Sequence, residues 1–253
     1  MRPSLHLSTM TEDLSNIHMS KAEFQEYGYR LVDWLAEYFD NVDQYQVLPS
    51  IEPGDIRNML PVSAPEGAES MDEIIADLDR VVMPGVAHWQ HPGWYAFFPS
   101  GASPVSALGE FVAAGLATQG MMWSTAPAAT EIENTVLDWL VDLLGLPSSW
   151  RLDEGPGGGV IQMSASDSTH LSLAVARHQF ELSGADANSL VAYGSSQAHS
   201  SIEKGARIAG FKHIRSVPVT QTFAMDAHSF AQIVRNDIDS GLIPAWVCSA
   251  VGT

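Results

Sequence analysis

Apolar residues return every third or fourth position through SKAEFQEYGYRLVDWLAEYFD: Phe24, Tyr27, Leu31, Leu35 and Tyr38, with Trp34 and Phe39 widening the stripe. That period predicts an amphipathic helix. Ser20 and Glu23, three apart at its start, form a capping box. The stripe is rich in aromatic rings, which suits packing on its own core or lying on a second subunit. Before it, residues up to His18 are polar and aperiodic, and residues 1–19 are expected to form a loose tail. Ser70 and Glu73 predict the start of a short helix carrying Ile74, Ile75, Leu78 and Val81. Thr130 and Glu133 predict another, through TEIENTVLDWLVDLLGLP, with Ile132, Val136, Leu140 and Leu143 on one face. Glu133, Asn134 and Asp138 are expected to face away, and Gly145 and Pro147 to stop the helix.

Beyond that helix the pattern alternates. A helix is expected from Ser164 or Ser166 to Glu181, then a strand at SLVAYG and a helix at HSSIEKGARIAG ending at Gly210. A strand at HIRSVPV follows, then a helix capped by Asp226 and an apolar run of buried-strand type at PAWVCSAVG. Strand and helix in alternation predict an α/β sheet with parallel members. Two stretches fit neither period. Asn41 to Pro65 reads as a connection, and His88 to Pro104 combines prolines and glycines with aromatic rings. An aromatic but irregular segment suits the wall of a pocket.

Charge narrows the classes of function. Thirty acidic residues against 12 basic ones give a net charge of −18. Such a surface displaces no counterions from phosphate backbones and is repelled by anionic membranes, so neither nucleic acid nor membrane is expected as a partner. Hydrophobic residues make up 45% of the chain, enough for a real core. Cys248 is the sole cysteine and lies in an apolar run, which predicts a buried structural thiol and no internal disulfide. No stretch has the character of a signal peptide or membrane span, and a cytoplasmic location is expected.

The candidate chemistry starts at GGGVIQMSASDSTHLSLAVARHQF. Small residues at a helix start present free N–H groups and a positive dipole end to an anion. Hydroxyls at Ser164, Ser166 and Ser168 are placed to add hydrogen bonds. The stretch has no lysine and lacks the spacing of a nucleotide P-loop. His199, after one strand and before the next helix, is expected at the same carboxyl edge of the sheet, where α/β proteins bind ligands. His88 and His91 have HxxH spacing, but Pro92 interrupts the helix such ligands prefer, and no metal site is expected.

In order along the chain stand HPGWYAFFPSGASPVSALGEFV, WSTAPAATEIENTVLDWLVDLLGLP, GGGVIQMSASDSTHLSLAVAR, YGSSQAHSSIEKGARIAG, FAMD and GLIPAWVCSAVGT. Together they resemble the N-terminal half of the group II pyridoxal-phosphate-dependent amino-acid decarboxylases, most of all the aromatic-L-amino-acid decarboxylases. The resemblance implies the PLP-dependent transferase fold of type I, the aspartate-aminotransferase type. It implies an incomplete large α/β domain over 104–253, preceded over 20–103 by a helical dimerisation segment with the substrate-pocket loop. It also implies a homodimer in the full-length form.

The same resemblance assigns residues. Ala165 and Ser166 match the cup for the phosphate of pyridoxal 5'-phosphate, and His199 matches the histidine that stacks on the coenzyme ring. Trp89, Phe97, Phe98, Pro99 and Ser100 match the substrate pocket, and Gln119 and Met121 match positions that reach into the partner's pocket. Five positions depart from the family's habit. Met163 stands where glycine is usual, Asp167 replaces a glutamate, Phe97 replaces a tyrosine common in aromatic decarboxylases, and Gln119 and Met121 replace aliphatic and aromatic residues.

The chain's lysines are Lys21, Lys204 and Lys212, and none stands in the family's His-Lys context. The lysine that attaches the coenzyme and the aspartate at its pyridine nitrogen are therefore expected beyond Thr253. The function implied is decarboxylation of an L-amino acid, aromatic or otherwise bulky, with this chain alone inactive. Two alternatives stand beside it. One is a relative that acts on acidic amino acids or forms aldehydes. The other is a non-catalytic remnant that dimerises or binds.

Overall fold

The computed structural model describes residues 19–97, 101–155 and 157–250. The expected tail, apart from Met19, lies outside them. The chain forms two compact units, divided between Ala117 and Thr118.

The first unit is helical. Helix α1 spans Lys21–Asp40, α2 Asp55–Met59, α3 Met71–Asp77 and α4 Pro104–Leu116. Both predicted capping boxes are present: Glu23 N–H donates to Ser20 Oγ at 3.2 Å, and Glu73 N–H to Ser70 Oγ at 3.2 Å. A π-helical turn, Leu78–Val82, continues α3. Arg30 pairs with Asp72 at 2.5 Å, and Trp34 Nε1 donates to Asp79 Oδ1 at 3.0 Å, so polar side chains tie α1 to α3 and to this turn. Among the described residues of this unit only Val81 and His88 are buried. Helix α4 was not assigned from periodicity. Its Val105, Leu108, Phe111, Val112 and Leu116 are all more than half exposed. An apolar helix so exposed marks a surface that binds something.

The second unit holds α5 Pro127–Leu143, α6 Ala165–Leu182, α7 Ser201–Ile208 and α8 Ala227–Asp239. Its strands are β1 Leu190–Ser195, β2 His213–Val217 and β3 Ile243–Val247. They form a parallel sheet of order β2-β1-β3. Side chains alternate across β1. Leu190 and Ala192 meet Leu173 of α6, Ala206 of α7 and Phe211. Val191 and Tyr193 meet Val217 and, on α8, Phe230, Ile233 and Val234. Helices thus cover both faces of the central strand, which explains its uninterrupted apolar character.

Three local expectations change. Helix α5 begins a turn before Thr130, with Pro127 in its first position, where a missing N–H is harmless. Thr130 is inside the helix and its Oγ1 donates to Ala126 O at 3.0 Å. The acidic side of α5 is not turned away. Glu133 Oε1 accepts from Ile161 N–H at 2.6 Å and Asp138 Oδ1 from Leu152 N–H at 2.9 Å, while Ile132, Leu140 and Leu143 are exposed. The segment from Arg151 to Met163 has no strand partner among the described residues, so carboxylates satisfy its backbone donors. Finally, β3 is half-buried rather than buried and, among the described residues, pairs only with β1; Cys248 beyond it is half-buried.

Candidate active site

Helix α6 precedes β1 and α7 follows it, and both run antiparallel to the strand through short connections. Their N-termini therefore meet at the carboxyl edge of the sheet, the ligand edge of such folds. The helices pack closely there: a Cβ built on Gly205 of α7 would lie 2.6 Å from His170 Cδ2 of α6.

Ser164 is the N-cap of α6. Its Oγ accepts from Asp167 N–H at 3.1 Å and donates to Asp167 Oδ2 at 2.8 Å. Ser168 Oγ donates to Ser164 O at 3.3 Å. Of the three hydroxyls expected to face an anion, two are thus turned to the helix's own backbone and cap. The N–H groups of Ala165 and Ser166 and the Ser166 hydroxyl have no partner among the described residues. Two adjacent donors at the positive end of an 18-residue helix are a cradle that could hold a phosphate. Met163, which stands where the family usually has glycine, is 97% exposed and so buries nothing against the turn. Before it, Gly157 lets the chain pass against Trp150: a Cβ there would fall 2.4 Å from the Trp150 carbonyl.

His199 lies between β1 and α7. Its Nδ1 accepts from Ser201 N–H at 3.2 Å and lies 2.9 Å from Ser201 Oγ. An accepting Nδ1 puts the proton of the neutral ring on Nε2. The ring is pinned on one side and exposed on the other. The structure therefore brings Ala165, Ser166 and His199 to one edge.

Gln119 and Met121 lie in the connection before α5, both exposed. The Gln119 carbonyl accepts from Thr125 Oγ1 at 2.9 Å, which closes this turn. In the first unit, Trp89 stacks on Trp94 at 4.7 Å and on Phe97 at 5.8 Å. Phe97 holds a left-handed backbone, φ 58°, uncommon for a residue with a Cβ. Phe98, Pro99 and Ser100 lie outside the described residues. Two open grooves, about 540 and 290 Å³, flank the sheet, and neither is lined by Ala165, Ser166 or His199.

Comparison with known proteins decides the family. The model of the "Pyridoxal-dependent decarboxylase conserved domain" matches residues 53–253. The chain belongs to the pyridoxal-dependent decarboxylase family. The chain is 39% identical over 241 residues to a phenylacetaldehyde synthase of Arabidopsis thaliana, covering 93% of this chain and 49% of that protein. It is also 39% identical over 255 residues to the histidine decarboxylase of Mus musculus, covering 93% and 38%. Among solved structures, Oryza sativa TDC with PLP and tryptamine superposes with a TM-score of 0.85 at 33% identity, covering 93% of this chain and 52% of that one. The chain therefore has the fold of type I and spans about half, or less, of the length of these relatives, from 38% to 52%.

The cradle fits the family's coenzyme. A phosphate needs donors and no competing acceptor, and the Ala165 and Ser166 N–H groups with the Ser166 hydroxyl meet that need. Two buried features carried no signal in the sequence: the carboxylate of Asp237 beneath β1, and the pairing of His88 with Tyr38. Each depends on residues more than 40 positions apart, which no periodicity connects.

Proposed function

We propose that the protein carrying this chain decarboxylates an L-amino acid with an aromatic or similarly bulky side chain. The observation that carries the reading is the donor pair of Ala165 and Ser166, unpartnered among the described residues, at the sheet edge that also bears His199, in a chain of this family. When bound, pyridoxal phosphate supplies the ring that takes up the electron pair of the broken bond to the carboxylate. Ala165 and Ser166 would hold the phosphate with two N–H groups, the Ser166 hydroxyl and the dipole of α6. His199, held at Nδ1 by Ser201, would offer its flat ring to the coenzyme and keep its Nε2–H free to donate at the ring's edge. Trp89, Phe97, Phe98, Pro99 and Ser100 are the residues assigned to the substrate pocket, where they would keep water from the substrate side chain. Gln119 and Met121 reach into the partner's pocket.

A homodimer belongs to the same proposal. The exposed apolar face of α4 and the stacked pair Phe24–Phe111, with ring centroids 6.1 Å apart, form a surface that a second copy would cover.

The test is CO2 release, with pyridoxal phosphate added, from L-tyrosine, L-DOPA, L-tryptophan and L-histidine by the protein that carries this chain. Turnover of at least one is expected. Bound coenzyme with no CO2 from any of them overturns the reading. The amine is expected, and product analysis separates it from the aldehyde, the alternative that the likeness to an aldehyde synthase raises.

A further inference from the structure

His88 and His91 share one turn, but their rings are held differently. His91 Nδ1 accepts from Gly93 N–H at 2.8 Å, which puts the proton of the neutral ring on Nε2, 3.3 Å from the carbonyl of Asp43. His88 is only 4% exposed, and its Nδ1 lies 3.1 Å from Tyr38 Oη. The ring of Tyr45 stacks on it at 4.7 Å and 17°, and that of Tyr38 sits at 5.7 Å and 34°. Its backbone N–H donates to Val47 O at 3.0 Å. The titratable groups facing His88 are Tyr38 from α1, Tyr45 beyond α1, and His91 from its own turn. Among the described residues no carboxylate bonds to the ring.

The next residue in the chain is Trp89, the centre of the stack with Trp94 and Phe97. We propose that neutral His88 is a positioning residue that holds the Trp89–Trp94–Phe97 stack, and that protonating His88 releases it. An imidazolium needs solvation or an anion, and this aromatic pocket supplies neither. Leaving the pocket draws His88 toward water and moves Trp89 with it. Burial, and then the neighbouring His91, already hold the His88 imidazole below its ordinary range. The consequence for substrate rests on placing Trp89 in the substrate pocket; the stack itself does not.

The test uses the whole protein loaded with pyridoxal phosphate. Two stacked indoles give an exciton couplet in circular dichroism, and Trp94→Phe identifies it. The couplet is expected to fade on acidification, in step with the His88 imidazole followed by ¹⁵N NMR, at a midpoint below about 6.5. His88→Phe fills the same space, and its couplet should no longer respond over that range; His91→Gln removes one of the two groups of causes that hold His88 low and should move the midpoint up while the fading still follows His88. If His88→Phe does not fold, the wild-type titration decides alone. A couplet that stays flat while His88 titrates overturns the proposal, as does fading at the same midpoint in His88→Phe. For an aromatic substrate, KM should rise roughly tenfold through the same midpoint with kcat little changed, the scale of one lost aromatic contact. If the couplet follows His88 and KM stays flat, the positioning role stands and the assignment of Trp89 to the substrate pocket fails.

Discussion

The hydroxyl of Tyr193, on the central strand, donates to Asp237 Oδ2 of α8 at 3.0 Å. Arg215 of β2 grips the other oxygen of the same carboxylate, Nη2 to Oδ1 at 2.6 Å. A strand, its neighbour and the covering helix are thus joined through one buried acid.

That acid makes stability depend on pH. Burial pushes the Asp237 carboxyl up, but hydrogen bonds from Arg215 and Tyr193 outweigh it and hold the carboxyl below its usual range. The folded state therefore binds fewer protons than the unfolded one in acid. The stabilisation is complete above about 3.9, the unfolded value, and is lost as pH falls through the folded value. Tyr193 is the reverse case: burial and the Asp237 contact raise its phenol, so its share is lost as pH rises above about 10. In denaturant titrations, Asp237→Asn should cost about 3 kcal/mol at neutral pH and flatten the acid limb. Tyr193→Phe should cost about 1 kcal/mol and flatten the alkaline limb.

The crossing of α6 and α7 leaves no room at Gly205. A new Cβ would lie 2.6 Å from His170 Cδ2 and 3.1 Å from Leu173 Cδ1. Gly205→Ala should destabilise by about 1–3 kcal/mol. Adding His170→Ala should restore part of that loss, and a double-mutant cycle on thermal unfolding measures the coupling.

Ser164 and Thr130 separate a true cap from an apparent one. Ser164→Ala removes the acceptor for Asp167 N–H and should cost about 1 kcal/mol of stability. Thr130→Ala, inside α5, should cost well under half of that by the same unfolding assay.

Coenzyme retention should depend on Ser166. Ser166→Ala removes one hydrogen bond to a charged group, about 1.5–3 kcal/mol, and should weaken pyridoxal phosphate binding by roughly 10- to 100-fold. Ser166→Asp should weaken it further by charge repulsion. Binding of pyridoxal, which lacks the phosphate, should be far less sensitive to either change, as read from coenzyme absorbance.

The sequence by itself determined most of the regular elements and their order, α2 and α4 excepted. The boxes at Ser20 and Ser70, the N-cap at Ser164 and the alternation from β1 to β3 are local matters of period and capping chemistry, decided within a few residues. The Gly157–Phe180 motif likewise located the Ala165–Ser166 donors. Tertiary structure decided which side of an element is satisfied by what. Helix α5 turns Glu133 and Asp138 toward backbone donors rather than water, because a segment without a strand partner needs acceptors. Of three serine hydroxyls at α6, only Ser166 is left for a ligand, because Ser164 and Ser168 bond to the helix start itself. His88 becomes buried because Tyr38 and Tyr45, distant in sequence, close over it. Periodicity reports the direction of a side chain on its own element. Its partner is set by whichever element the fold brings opposite, and that is not written in the local pattern.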